Sequence, residues 1–359
     1  MRVRWALGCL VFFALQAHAD SSSSAPLFSV IPSAVASQLR GKQTQPAGAT
    51  VLQAAEADLT REPHAVRHLH TEGLLPHQGL YDQSVEASKD FTRLLNFGLA
   101  YQMTGDRKFL NAADHFFNVW IDTYQVSGNP IDETSFDRIF LAYDLTRADL
   151  PPSTQQKFDA FAQSLTDSLT ESLKHEKKEE ASNWECHRIK LMTLAAFALG
   201  SRALISSARS AFQHEVSTAI EPSGSLSDFE KHDALYYVVY DLEPLVFSAL
   251  AAKEHGEDWF HDASEDGSSL SGAVEWLVPY AAKRQTHEEF TRSTVHIDQL
   301  RKQAGLKGFS GLWDPASCAY LFSITSLVDR SYRMLAGQIA RLPNAQLPSW
   351  VLLLKETNL

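Results

Sequence analysis

The sequence predicts an all-α fold: one domain of ten or more helices laid down as successive hairpins. Two observations carry this. Apolar residues recur at three- and four-residue steps, as in Leu110, Ala113, Phe117, Trp120 and Tyr124, and again in Phe158, Phe161, Leu165, Leu169 and Leu173. In addition, no run alternates apolar and polar residues like a half-buried strand, and no glycine-rich turn links a strand to a helix. Both absences argue against a doubly wound sheet.

The elements follow in order. Arg2 and Arg4, the apolar run Trp5 to Leu15 and Ala17-His18-Ala19 read as a cleavable export signal over residues 1–19. Its apolar run is too short to span a bilayer, which takes roughly 20 residues. Residues 20–50, rich in Ser, Gln, Gly and Ala, read as a flexible leader, and 51–359 as the single folded domain. Further helical stripes run through Phe91 to Tyr101, Leu191 to Leu199, Ala234 to Ala252, Ala273 to Ala282 and Tyr320 to Leu335. Gly105, Pro151-Pro152 and Gly200 supply the stops. Lys174 to Glu180 reads as a solvated helix end. Periodicity alone leaves a closed toroid and an open solenoid equally available, although no repeat of 33 to 40 residues stands out.

Composition narrows the function. The 359 residues include 43 acidic and 32 basic side chains, a net charge of −11, which argues against a nonspecific nucleic-acid binder. Three cysteines are too few for a disulfide scaffold, and nothing in the spacing of Cys186 and Cys318 indicates a bond. No metal or cofactor is expected. His64, His68 and His70 lack an obvious fourth ligand, His175-Glu176-Lys177-Lys178-Glu179 fails the zinc pattern at its last position, and Gly224-Ser225-Leu226-Ser227 is not a nucleophile elbow.

Three segments hold candidate chemistry. Ser182 and Glu185 form a capping box, so a helix is expected to begin there and to put Asn183, His187 and Lys190 on one face, with Arg188 adjacent. An amide, an imidazole and a cation near a helix N-terminus suit a carboxylate ligand; a polar helix start with no ligand is the alternative. In the second segment, Gly224 to Leu245, a continuous helix would align His232, Tyr236 and Tyr240 on one ridge, with Tyr237 and Asp241 beside them. The third comprises two loops, Thr71 to Leu80 and Asn129 to Thr134, in which His77 and Asp132 are candidates for substrate contact.

Asn183-Trp184-x-x-His187-Arg188, together with Asp233-Ala234-Leu235-x-Tyr237-x-x-Tyr240-Asp241-Leu242, resembles the alginate lyase superfamily. Glu72-Gly73-Leu74-Leu75-Pro76, Tyr101-x-x-Thr104-Gly105-Asp106 and Asn129-Pro130-Ile131-Asp132-Glu133 resemble the same group, particularly its branch acting on β-1,4-linked uronans. The likeness runs from about Leu69 to Pro315. It implies an incomplete (α/α) toroid and an endo-acting secreted lyase, with Asn183 and His187 as the carboxylate-binding pair and Tyr240 as the catalytic tyrosine. Tyr236 and Tyr237 would line the substrate. In two places the chain departs from the pattern: Trp184 follows Asn183 and His187 comes one turn later, where the family usually has Asn and His side by side, and Tyr237-Val238-Val239-Tyr240 and His232 stand where the family tends to have Tyr-His-x-Tyr and an arginine. Arg188, His232 and Arg292 are therefore all candidates for the charge-neutralising cation.

Such residues suit β-elimination. The C5 proton of a uronate is very weakly acidic while its carboxylate is charged, and donors on the carboxylate let the developing charge spread. A tyrosine can take that proton and return one to the departing O4. The expected partner is an anionic uronic-acid polysaccharide, with no nucleic acid, no membrane after signal removal, and a monomeric enzyme. Two other readings remain: a toroidal glycoside hydrolase using two of Asp132, Glu133, Asp228 and Asp233, and a noncatalytic uronan-binding protein.

Overall fold

A computed structural model describes residues 27–172 and 182–357. The export signal and the Lys174 to Glu180 stretch lie outside the described residues, as do the His175 motif and the Ser182 side chain. Fifteen helices occur among the described residues: α1 (Ser33–Ala36), α2 (Pro46–Asp58), α3 (Tyr81–Thr104), α4 (Arg107–Thr123), α5 (Asp137–Thr146), α6 (Pro152–Ser172), α7 (Ser182–Leu199), α8 (Arg202–Ala219), α9 (Ser227–His232), α10 (Leu235–Glu254), α11 (Leu270–Ala281), α12 (His296–Gln303), α13 (Ala319–Val328), α14 (Arg333–Ile339) and α15 (Ser349–Leu354). No strand forms among them; only isolated bridges do.

The helices sort into two rows. Along the inner row α3 packs on α5, α5 on α7, α7 on α10 and α10 on α13. Each inner helix also packs on an outer neighbour: α3 on α2 and α4, α7 on α6 and α8, α10 on α11, and α13 on α14. This is the incomplete (α/α) toroid, and α15 lies against α2. Apolar character follows position. Amphipathic outer helices such as α4 bury one stripe, Phe109, Leu110, Ala113, Phe116, Phe117 and Trp120. Inner α10 is buried nearly all round; it is long and apolar enough to cross a membrane, but the protein's own core covers it.

Helix ends follow local chemistry. Asp106 caps α4 by accepting from Lys108 N, and Ser269 caps α11 by accepting from Gly272 N. Gly105 ends α3 at φ +75°, a conformation that glycine adopts without steric cost. Two expected helices are interrupted. The stripe from Tyr320 to Leu335 breaks at Asp329, whose carboxylate caps the turn at Ser331 N. The segment around His232 breaks at Asp233, which adopts φ +51°.

The expectation of a flexible leader fails over 27–50, which is packed. Val30, Ile31 and Leu39 are fully buried. Asp144 on α5 gathers this strand of chain: its carboxylate accepts from the backbone N–H groups of Ser29 (2.7 Å), Val30 (2.8 Å) and Ile31 (2.9 Å). Phe28 and Phe197 sandwich His255, with ring centroids 4.2 and 4.0 Å from it. The small polar residues of 20–50 hide the few apolar anchors that do this. Asp144→Ala should leave three N–H groups without their acceptor and cost about 2 kcal/mol, a fall in melting temperature of roughly 3 °C for a chain of this size. A melting curve matching the parent's would show that the arm is held by apolar contacts alone.

Candidate active site

Loops and helix starts at one end of the inner row enclose two joined cavities. The larger, about 1010 Å³, is lined by residues including Thr71, Glu72, Asn183, Trp184, His232, Tyr236, Tyr237, Tyr240 and Arg301. The smaller, about 590 Å³, is lined by residues including Arg138, His187, Lys190, Glu243, Tyr320 and Trp350. Thr134, Ser135 and Tyr240 belong to both. Tyr240 therefore stands at the junction, its ring 4.3 Å from that of His187.

The start of α7 behaves as its spacing predicts. Asn183 lines the groove and donates from Nδ2 to Asp228 Oδ2 at 2.8 Å. His187, one turn later, is 4% exposed. Its Nδ1 lies 2.6 Å from Thr134 Oγ1, and that same oxygen accepts from Lys190 Nζ at 2.9 Å. With the ammonium on its lone pair, the Thr134 hydroxyl is set to donate to Nδ1, which leaves the imidazole proton on Nε2. Nε2 is buried and has no partner within the protein. Burial, helped by the Lys190 charge, holds the His187 pKa well below the usual range, so the ring is a neutral donor.

Around Tyr240 burial dominates. It pushes the phenol well above its ordinary pKa, with Tyr236 adding to the rise and Arg301 opposing it. The phenol is protonated in the unliganded groove. Tyr236 is partly exposed on the groove wall. Tyr237 is buried and tied down: its hydroxyl donates to Asp298 Oδ1 at 3.2 Å and accepts from Arg301 Nη1 at 3.2 Å. Pro244 lies one turn beyond Tyr240 inside α10 and has no N–H for the Tyr240 carbonyl.

Several expected contacts are placed elsewhere. Arg188 is fully buried and pairs with Glu185, so it faces the protein interior rather than the groove. Arg292 is largely exposed, away from both cavities, and its guanidinium bonds Asp233 at 2.7 Å. His77 pairs with Asp82 at 2.7 Å on the surface, outside the lining of the groove. Asp132 borders the larger cavity, but its oxygens are already engaged by Thr71 N, Glu72 N, Thr71 Oγ1 and His70 Nδ1. It clamps the 70–72 loop. His232 does reach the groove, but from α9, because the turn at Asp233 takes it off the α10 ridge. Cys186 and Cys318 are buried free thiols.

Sequence reasoning missed Thr134, Asp298 and Arg301, and weighed Asp228 only as a hydrolase carboxylate, not as the partner of Asn183. Thr134 and Asp228 stand inside segments already singled out, and their acceptor and donor groups were the available signal. Asp298 and Arg301, at i, i+3 spacing on α12, had no such flag.

The alginate lyase family model matches residues 38–287. No curated protein sequence matches the chain. Solved structures do. An alginate lyase from Bacteroides ovatus superposes with a TM-score of 0.67 at 17% identity, covering 91% of this chain and 98% of that one. Alginate lyase A1-III from Sphingomonas species A1 superposes with a TM-score of 0.53 at 18% identity, covering 71% and 80%. At these identities the structures speak to the fold, while the sequence match spans well over half of the chain. The chain thus belongs to the alginate lyase family and is a polysaccharide lyase.

Proposed function

We propose that this lyase cuts β-1,4-linked polyuronates, polymannuronate or glucuronan, at the junction of the two cavities. Tyr240 moves the protons there, and Asn183 and His187 hold the uronate carboxylate. The observation that carries the reading is the His187–Tyr240 contact: a neutral imidazole with an unsatisfied Nε2 beside a phenol, where both halves of the groove meet. A polymer lying through both cavities has its scissile linkage beside these two rings.

The chemistry follows from the donors. Removing the C5 proton sends charge into the carboxylate, and the second Nδ2–H of Asn183 and Nε2–H of His187 receive it. Tyr240 takes the C5 proton as a phenolate and returns it to O4 as the C4–O4 bond breaks, which leaves a C4=C5 double bond. Because burial keeps the resting phenol protonated, the ionised form depends on Arg301 across the groove. Mannuronate suits a single residue in both roles, since its C5 hydrogen and O4 share one face.

The hydrolase reading loses its carboxylates. Asp132 is engaged as described, buried Glu133 binds Tyr124 and Ser127, Asp228 binds Asn183, and Asp233 binds Thr291 and Arg292. Residues 1–19 would export the enzyme, which acts outside the cytoplasm as a monomer on an anionic polysaccharide.

Tyr240→Phe should abolish formation of unsaturated product from polymannuronate and leave polymer binding close to that of the parent, because only the phenolic oxygen is lost. Product appearing at the parental rate would assign the base to another residue. Asn183→Ala and His187→Ala should each slow elimination by on the order of 100- to 1,000-fold, with the double variant less impaired than the product of the two losses. Initial rates set against thermal unfolding decide this: losses that multiply and track stability would remove both residues from the carboxylate site.

A further inference from the structure

The groove contains a second imidazole held from behind. His232 is 3% exposed, lines the larger cavity, and has a buried Nε2 with no partner within the protein. Its Nδ1 lies 2.6 Å from Asp298 Oδ2. The ring stacks on Tyr237 with centroids 3.7 Å apart, so it cannot turn away. We propose that His232 and Asp298 together form the cation that reads the uronate carboxylate in this groove, with Asp298 as the positioning residue and Nε2 as the atom that meets substrate. This rests on the lyase reading with Tyr240 at the reacting centre.

A carboxylate only accepts hydrogen bonds, so the Nδ1 facing Asp298 carries a proton. Asp298 is itself 1% exposed. Ser293 Oγ donates to its Oδ2 at 2.7 Å and the Tyr237 hydroxyl to its Oδ1, but these are neutral groups. Its ion pair among the described residues is with His232. Arg301, the neighbouring guanidinium on the same helix, is directed to the Tyr237 hydroxyl. A buried carboxylate needs a counter-charge. When a uronate carboxylate arrives on the other side, the imidazole lies between two anions and carries a proton on each nitrogen, so that Nε2–H is a charged donor.

The contrast with His187 supports the assignment. Both histidines have Nδ1 engaged and Nε2 unsatisfied, but one is backed by a hydroxyl beside an ammonium and the other by a carboxylate. The first is an uncharged donor, and the second becomes a charged one when a substrate carboxylate lies across the ring from Asp298, which is the division of labour that paired sites achieve by environment. Lys231 and Arg301 also border this cavity, as do Glu72 and Asp132, but among the described residues neither cation is bonded to a buried carboxylate. Asp298 lies beyond residue 287, so the family match does not supply its role.

The test uses the mature enzyme, a mannuronate tetramer and its methyl ester, whose carbonyl bears no charge. On the acid, His232→Gln should lower kcat/KM on the order of 100-fold and Asp298→Asn about 10- to 100-fold, as for other partners that orient a functional imidazole. The double variant should be no worse than His232→Gln alone. In a Tyr240→Phe background, both substitutions should reduce the affinity ratio of acid over ester at least tenfold, a ratio unaffected by any loss of folded protein. Additive losses, or acid and ester weakened alike, overturn the proposal. Full activity in Tyr240→Phe would instead overturn the placing of Tyr240 at the reacting centre on which it rests, while an inactive Tyr240→Phe with an unaffected His232→Gln overturns this inference alone.

Discussion

Asp233 stands at φ +51° between α9 and α10, and the groove is organised around that turn. A left-handed conformation at a non-glycine residue costs on the order of 1 kcal/mol, and the surroundings hold it from several sides. The Asp233 carboxylate accepts from the Thr291 hydroxyl and from Arg292 through N and Nη2, while its carbonyl accepts from Phe290 N and His287 Nε2. One residue earlier in that segment, buried Glu289 accepts from Leu235 N (2.8 Å) and Tyr236 N (3.0 Å), and so caps the helix that carries Tyr240. Because the helix is broken and restarted, His232 and Tyr240 approach the groove from two elements instead of one ridge. That is why an imidazole backed by α12 and a phenol beside α7 enclose the same space.

Behind the groove lies a reserve of buried acid. Glu215 is pushed up to about 8 and Asp241 well above the carboxylate range, both chiefly by burial, and nearby Asp228 adds to the rise in each. Protonated carboxyl groups there spare the fold the expense of several adjacent buried anions. Asp228 can then face Asn183 as an acceptor, which turns the amide's NH2 group toward it and fixes the orientation of the side chain.

How much of this was legible depends on range. The helices were, because their signals are local: the stripes of α4 and α6, the glycine after α3 and the prolines before α6 act within one or two turns. The Asn183–His187 face was legible for the same reason, as both residues sit on one uninterrupted helix. What the periodicity could not contain is the break at Asp233. The i, i+4 spacing of His232, Tyr236 and Tyr240 suits an unbroken helix, and the groups that hold the turn open come from residues 287–292. Arg188 and Arg292 looked equivalent to any groove cation by residue type. Only packing shows that the first is buried against Glu185 and the second is spent on Asp233. The leader misled by composition, since a few apolar anchors and one distant carboxylate outweigh many small polar residues.

The same long-range logic explains why the site tolerates atoms that a folded protein ordinarily avoids. The Nε2 atoms of His187 and His232 are both buried without a partner, and a buried unsatisfied polar group costs roughly 1–3 kcal/mol. Neither ring can relieve this by turning: Thr134 and Asp298 hold the opposite nitrogens at 2.6 Å, and Tyr240 and Tyr237 lie against the ring faces. The continuous core formed by the inner row supplies the stability to bear that cost in the unliganded state. On the proposed reading, an anionic sugar that meets these atoms recovers it on binding, and recovers more as charge moves onto its carboxylate. Holding the donors in place beforehand therefore shifts the expense of reorganisation from the reaction to folding, which is where an electrostatic catalyst gains its advantage.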